Sequence, residues 1–204
     1  LEAHVIGLYS LEMARTKSFD PDAALGSAVE SFWKCGYERT SIDALMRETR
    51  VARQSLYDTF GDKHALYLRA LVAYRDASHA RLRQVLADAP RVREGFATIL
   101  LGMCSESRES LQRGCLLLNA NMERQRDDAE VAAILEQNHV MVERIFREAL
   151  QRAQARGELG TDKDPVALAR FFLATIQGMR ATGRVQPRRA VLESIASTAL
   201  GALG

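Results

Sequence analysis

The sequence is poor in cysteine, in proline and in long apolar runs, with three cysteines and four prolines among 204 residues. Three scattered cysteines are too few for a disulfide framework, which favours a reducing compartment, so we expect a cytoplasmic protein. No uncharged apolar segment approaches the roughly 18 to 20 residues that a membrane span needs, and no membrane partner is expected. The net charge of +2 does not by itself indicate a nucleic-acid partner.

Patterns of the common catalytic and metal sites are missing as well. The four histidines do not cluster, and neither HExxH nor paired cysteines are present, so we expect no metal. The sequence has no Walker loop, no Rossmann fingerprint and no nucleophile elbow. We therefore expect no catalytic residues, no cofactor and no enzymatic activity.

Hydrophobic residues make up 47% of the chain, which is enough to bury a core. They recur mostly at spacings of three and four residues, which predicts an all-α fold. Asp20-Pro21 and Asp164-Pro165 each combine an N-cap with a first-turn proline, and Gly36 stops the first helix. Five of the later helices are predicted at about 63–87, 92–106, 110–125, 165–182 and 188–202. Another is predicted to begin at a capping box formed by Asp127 and Glu130 and to end at about residue 156.

Two short helices joined by a tight break around Arg50 to Ala52 have the layout of a helix-turn-helix. Arg53 and Gln54 begin the second helix, where base edges are reached, and these side chains match guanine and adenine. Nearby side chains carry hydroxyl and ammonium groups, which can donate hydrogen bonds to phosphate oxygens. The predicted DNA-binding residues are Thr40, Ser41, Arg53, Gln54, Ser55, Tyr57 and Lys63.

The segment from Ala24 to Arg69 resembles the TetR family of bacterial transcriptional regulators. The matching positions are Phe32-x-x-x-Gly36-Tyr37-x-x-Thr40-Ser41-Ile42 and Val51-x-x-x-Ser55-Leu56-Tyr57-x-x-Phe60-Gly61-Asp62-Lys63-x-Ala65-Leu66. The resemblance implies a homodimeric regulator, usually a repressor, that binds a palindromic operator in double-stranded DNA and a small-molecule effector. The sequence departs from the family pattern where glycine and a Ser or Thr cap are usual, because it has Arg50 and Ala52 there, and Gln54 replaces another frequent glycine.

The resemblance divides the chain into a helix-turn-helix DNA-binding domain, residues 13–63, and a larger helical ligand-binding and dimerisation domain, residues 64–204. Met13 resembles a natural translation start, so residues 1–12 are expected to lie upstream of both domains. A cavity with apolar walls and a few polar groups is typical of small-ligand sites. The predicted ligand contacts are Met103, Cys115, Asn119, Met122, Met141, Phe171 and Gln177. The predicted dimer contacts, on the last two helices, are Phe172, Ile176, Met179, Leu192 and Ile195.

Two other interpretations stay open. A helical small-molecule-binding protein or enzyme with a vestigial DNA-binding region would fit the unusual turn at Arg50 and Ala52. The stretch from Arg113 to Asn119 resembles a branch of the family that includes reactive-aldehyde and acrylate-type sensors. A sensor switched by Cys115 would need a thiol with a depressed pKa and some exposure, whereas most free cysteines are small buried hydrophobes.

Overall fold

The structure, a computed structural model, describes residues 19–124 and 128–204, with the backbone alone at Arg124. The expectations for residues 1–12, for a domain start at residue 13 and for a cap at Asp127 lie outside the described residues. All regular structure in the described ranges is helical, which confirms the predicted fold class. The helices are α1 (Pro21–Cys35), α2 (Ile42–Thr49), α3 (Arg53–Phe60), α4 (Lys63–Asp88), α5 (Val92–Cys104), α6 (Arg108–Arg113), α7 (Leu116–Arg124), α8 (Ala129–Ala155), α9 (Pro165–Val185) and α10 (Arg189–Leu200), followed by a 3₁₀ turn (Gly201–Leu203).

Helices α1 to α3 and the first half of α4 form an N-terminal head around one apolar cluster. Phe32, Leu45 and Leu56, one from each of the first three helices, are almost fully buried there. Asp20 caps α1 by accepting hydrogen bonds from the backbone of its first turn, as predicted. Ser41 caps α2, with its Oγ accepting from the Ala44 N–H at 3.1 Å. The three short helices therefore follow from local capping together with one shared core.

The second half of α4 packs with α5, α8, α9 and α10 into a larger body that has its own apolar cluster. Phe96 lies at its centre, with ring centroids 5.2 Å from Phe146 and 4.2 Å from Phe172. Each of the three rings comes from a different helix, so an edge-to-face contact with Phe146 and a stacked contact with Phe172 tie α5, α8 and α9 together. None of the described helices has the length and apolarity to cross a bilayer.

The single helical segment expected at 110–125 is two helices, α6 and α7, separated at Gly114. Gly114 has φ 68° and ψ −141°, a conformation essentially restricted to glycine, and the helix cannot continue through it. Its carbonyl accepts a hydrogen bond from Trp33 Nε1 of α1 at 3.0 Å. Leu116 and Leu117 of α7 pack in the apolar cluster of the head. Helix α7 is thus a contact element between the head and the body.

Helix α8 has its N-cap among the described residues, and two predicted helix ends need correction. Helix α8 is capped by Asp128, whose side chain accepts from the Val131 N–H at 3.1 Å. Helix α9 continues beyond the predicted end at about Thr182 to Val185 and passes through Gly183, which lies so close to α6 that an added Cβ would be 3.1 Å from Leu111 Cδ2. Helix α10 starts at Arg189, two residues after Pro187, since Arg188 has an extended backbone.

Candidate nucleic-acid interface

One face of α3 is exposed and polar, while the opposite face belongs to the core. Arg53, Gln54 and Tyr57 are exposed, Tyr57 to 37%, whereas Leu56 and Phe60 are buried. Positions one, two and five of a helix lie on the same side, so the three polar side chains point together into solvent. A helix of eight residues is about 12 Å long, comparable to the width of a DNA major groove.

The turn between α2 and α3 forms without the glycine that is usual there. Arg50 has φ 58° and ψ 30°, and it is the one non-glycine residue with a positive φ in the part of the chain that the structure describes. This left-handed conformation costs an ordinary residue about 1 to 2 kcal/mol. Val51, which follows, is buried in the head, and its N–H donates to Thr49 Oγ1 at 3.3 Å. Apolar burial and this hydrogen bond offset the strain, so the turn is built despite the departure from the family pattern.

The predicted phosphate-binding groups do not all lie on the surface. Ser41 is exposed beside the first turn of α2, and Lys63 begins α4 with its Nζ 4.2 Å from the centroid of the Tyr37 ring. The prediction that Thr40 binds phosphate must be corrected, because its side chain is buried and its hydroxyl donates a hydrogen bond to the Gly36 carbonyl at 2.6 Å. Thr40 therefore shapes the loop between α1 and α2. Ser55 is half-buried on the flank of α3.

Two carboxylates that sequence reasoning did not select share this surface. Arg53 Nη2 donates to Asp43 Oδ1 at 2.9 Å, and Gln54 Nε2 donates to Asp58 Oδ1 at 2.7 Å. The spacing of four residues between Gln54 and Asp58 on one helix was a usable signal. Asp43 lies on α2, ten positions before Arg53, and only the folded turn brings the two together.

Sequence models of known families cover both parts of the chain. The model described as "Bacterial regulatory proteins, tetR family" matches residues 24–70, and the model described as "Tetracyclin repressor-like, C-terminal domain" matches residues 88–199. The chain belongs to the TetR family. The predicted identity is confirmed, as is the function of a ligand-responsive, DNA-binding regulator of transcription. Double-stranded DNA, a small-molecule effector and a second copy of the chain are the partners typical of such a TetR-family regulator.

Relatives of this TetR-family regulator extend over most of its length. The HTH-type transcriptional repressor ComR of Escherichia coli (strain K12) is 33% identical over 189 residues, 91% of this chain and 90% of ComR. The HTH-type transcriptional regulator YezE of Bacillus subtilis (strain 168) is 35% identical over 162 residues, 78% of this chain and 84% of YezE. A solved structure of the TetR-family regulator CifR, a cysteine mutant complexed with 26 bp double-strand operator DNA, is similar with a TM-score of 0.81. It is 32% identical to this regulator and covers 93% of this chain and 100% of the CifR chain.

The predicted ligand contacts of the regulator do not line one cavity. Met103 is buried in the core of the body, whereas Met122 and Phe171 are exposed to 78% and 43%, and Gln177 is half-exposed. Met141 lies in an open groove of about 540 Å³ between α4 and α8. The other residues that line this groove are Arg75, Asp76, His79, Arg83, Glu136, Gln137 and Val140. Of the seven predicted residues, the groove includes Met141 alone.

The groove has a neutral histidine at its base. His79 is buried, and its Nε2 lies 2.9 Å from Asn138 Oδ1. Burial lowers the pKa of His79, and the positive charges of Arg83 and Arg75 lower it further. A neutral His79 donates from Nε2 to the Asn138 oxygen, so this pair joins α4 to α8 without adding a charge.

Cys115 and Asn119 lie at the junction between head and body. Burial raises the pKa of the Tyr74 hydroxyl, and the neighbouring Cys115 thiol adds to this effect, so Tyr74 stays protonated beside it. Asn119 Nδ2 donates to the Arg113 carbonyl at 2.9 Å, and its Oδ1 accepts from Arg184 Nη1 at 2.6 Å. Both ends of this amide are thus engaged by protein groups, which is a structural role.

The predicted dimer contacts need correction, because most of them lie inside the protomer. Phe172, Met179 and Leu192 are buried in the body, and Ile176 and Ile195 pack against the same cluster. The exposed face of α9 carries apolar and small residues at alternating spacings of four and three: Ala167, Phe171, Ala174, Gly178, Ala181 and Val185. Helix α10 and the turn after it continue the pattern with Ala190, Ser194, Ser197 and Gly201. We call these ten residues the small-residue face.

Proposed function

We propose that the regulator is a repressor that binds a palindromic operator as a dimer, with α3 of each protomer in the major groove. The observation that carries the proposal is the exposed polar face of α3, directly after the turn at Arg50. Arg53 and Gln54 read base edges, while Tyr57 contacts the phosphate backbone. Ser41 and Lys63 flank this face at the starts of α2 and α4, where they anchor the head to neighbouring phosphates. The operator complex of CifR, at 32% identity, supports this arrangement.

The second copy pairs through the small-residue face. Alternation of four and three residues is the spacing of knobs-into-holes packing, and small side chains let helix backbones approach closely. Helices α9 and α10 of both protomers then form a four-helix bundle. Such a dimer holds the two α3 helices apart by about 34 to 36 Å, or a multiple, to reach successive major grooves on one side of the duplex.

The groove between α4 and α8 is the effector site that the geometry supports best. Its volume of about 540 Å³ suits a small molecule, and Val140 and Met141 supply apolar contacts beside the guanidinium groups of Arg75 and Arg83. Only Gly61 and Asp62 separate α3 from α4, so a ligand that moves α4 against α8 moves the recognition helix. A ligand that prefers the wrong spacing of the two α3 helices lowers operator affinity by shifting the population.

Cys115 supports a second route of release, by an electrophile. Its thiol is half-buried beside Tyr74 at the junction, where a covalent adduct would push α7 away from α4. A Cys115→Ser variant separates the two routes. Operator binding is retained in either case, and release by an electrophile is lost only if the thiol is the target.

The test measures the affinity of the regulator for a labelled DNA fragment from upstream of its own gene. Binding is monitored by fluorescence anisotropy over a series of salt concentrations. A dimer on its operator gives specific binding that weakens steeply with salt, because phosphate contacts release counterions. Aldehydes and acrylate-like acids are added as the first panel, and loss of binding with one compound identifies the effector class. Selection from a randomised DNA pool covers operators elsewhere. Failure to enrich any sequence contradicts the proposal and favours a helical binding protein or enzyme with a vestigial head.

A further inference from the structure

The two side chains placed to read bases are each hydrogen-bonded to a carboxylate. Arg53 Nη2 donates to Asp43 Oδ1 at 2.9 Å, and Gln54 Nε2 donates to Asp58 Oδ1 at 2.7 Å. The pair of Arg53 and Asp43 is open to solvent, with 55% and 71% of the side chains exposed. A carboxylate on a surface that meets a polyanion weakens binding through charge repulsion. Two such carboxylates, each beside a base-reading group, lower the affinity for DNA, so a benefit to base recognition would have to offset this loss.

We propose that Asp43 and Asp58 are positioning residues that set the base preference of Arg53 and Gln54. The inference rests on the proposed function, in which α3 enters the major groove. Asp43 lies in the first turn of α2 and Arg53 in the first turn of α3, so their hydrogen bond crosses the helix-turn-helix. It holds a long, flexible side chain in one direction before DNA arrives. The remaining N–H groups of the guanidinium stay available for the O6 and N7 atoms of guanine.

Asp58 decides which way the amide of Gln54 faces. An ionised carboxylate only accepts hydrogen bonds, so the NH₂ group of Gln54 must turn toward Asp58, and the amide oxygen is directed away. The second N–H of that NH₂ group and the free Oε1 then form the donor and acceptor pair that matches N7 and N6 of adenine. The expected preference is therefore guanine opposite Arg53 and adenine opposite Gln54.

Charge repulsion alone makes a different prediction from positioning. If Asp43 only repelled phosphates, its replacement by Ala would raise the affinity for every DNA sequence by the same factor. If Asp43 positions Arg53, the Ala variant, which lacks the acceptor oxygen that Asn would keep, binds unrelated DNA more tightly and yet discriminates less between guanine and the other bases. Discrimination at one base position is thus the readout that a bare charge effect does not move.

The experiment first selects an operator with the wild-type regulator from a randomised pool. Fluorescence anisotropy then measures Asp43→Ala and Asp58→Asn on that operator, on its single-base replacements and on unrelated DNA. We expect Asp43→Ala to reduce discrimination at one guanine, and Asp58→Asn at one adenine, each by roughly tenfold, the scale of one lost bidentate contact. Glu48→Gln is the matched control. It removes an exposed carboxylate of α2 for which the described residues provide no hydrogen-bond or ionic partner, and it should leave discrimination unchanged.

A double-mutant cycle shows whether Asp43 acts through Arg53. In an Arg53→Ala background, Asp43→Ala should change discrimination by less than about twofold, because the positioned group is absent. Variants that discriminate as well as the wild type overturn this inference and leave the proposed function standing. A wild-type regulator that selects no sequence overturns both.

Discussion

Arg184, near the end of α9, donates a hydrogen bond from Nη1 to Oδ1 of Asn119 on α7, at 2.6 Å. The same Asn119 side chain donates to the Arg113 carbonyl at 2.9 Å. The guanidinium of Arg113 lies 3.7 Å from the centroid of the Trp33 ring and pairs with Glu30 Oε2 at 2.6 Å, both on α1. A continuous set of polar contacts therefore joins the helix proposed to dimerise with the first helix of the DNA-binding head.

Helix α7 is attached to the head at both of its ends. At its start, Trp33 donates to the Gly114 carbonyl, and near its end the Glu123 carboxylate packs against Gly36 and accepts from the Tyr37 N–H at 3.3 Å. Between these two attachment points, Leu116 and Leu117 pack in the apolar cluster of the head. Helix α7 is thus fixed to α1 and to the loop after it by contacts at its start, along its length and near its end.

The break at Gly114 gives a first prediction about stability. Gly114→Ala should lower the free energy of unfolding by about 1 to 3 kcal/mol, the cost of a side chain in this backbone conformation. Steric conflict is not the cause, because the added Cβ would meet no heavy atom nearer than Asn119 Oδ1 at 3.6 Å. Gly26→Ala in the middle of α1 is the control and should stabilise by about 0.5 to 1 kcal/mol. Urea denaturation measures both, and a neutral Gly114→Ala would contradict the assigned backbone.

The small-residue face gives a second prediction. Ala174→Asp should weaken dimerisation by roughly a hundredfold or more, since a buried unpaired charge costs several kcal/mol. Sedimentation velocity would then show monomers, and operator affinity would fall with the dimer. Ala133→Asp, at an exposed alanine of α8, should leave the dimer intact. Phe172→Asp is expected to unfold the protomer instead, because Phe172 is fully buried against Phe96.

The exposed hydroxyl of Tyr57 gives a third prediction. Tyr57→Phe should weaken DNA binding by about 1.5 to 3 kcal/mol, the value of one hydrogen bond to a charged group. The loss should be similar on the operator and on unrelated DNA, because phosphate contacts carry no sequence information. Anisotropy titrations on both duplexes check this expectation. A loss confined to the operator would place Tyr57 against a base edge.

The ion pair of Glu106 and Arg180 gives a prediction about pH. Burial opposes ionisation of Glu106, but hydrogen bonds from Arg180 at 2.8 Å and Ser110 at 2.7 Å outweigh it, and the pKa of Glu106 is lowered. A carboxyl with a lower pKa in the folded state adds stability above its unfolded pKa, and that stability is lost as the pH falls through the folded value. Glu106→Gln should therefore destabilise at pH 7, with the difference from wild type shrinking in acid.

Urea denaturation of wild type and Glu106→Gln over a pH series from neutral to acid measures that difference. Glu109→Gln, at an exposed position of α6, controls for the loss of a surface charge and should differ little from wild type at any pH. A Glu106→Gln deficit that stays constant down to acid pH would show that the pair with Arg180 adds no pH-dependent stability.

The parts of the molecule that depend on near neighbours in the chain could be predicted from the sequence. Asp20 and Asp164 start helices as expected because a cap needs only the two or three residues that follow it. The spacing from Phe32 to Leu66 placed the helix-turn-helix for the same reason, since its core positions repeat within short helices. Arg53, Gln54 and Tyr57 could be selected because their exposure follows from that local periodicity.

Tertiary packing determined which side chains are buried and which residues pair wherever the local sequence pattern allowed more than one arrangement. Helix α9 is apolar nearly all round, so Phe171 and Phe172 look equivalent in sequence, and only packing against Phe96 turns Phe172 inward and leaves Phe171 on the small-residue face. The salt bridge between Asp43 and Arg53 exists because the turn at Arg50 brings two helices together. Periodicity along the chain shows that a helix has a buried side, but which neighbour covers that side is determined by contacts between distant segments.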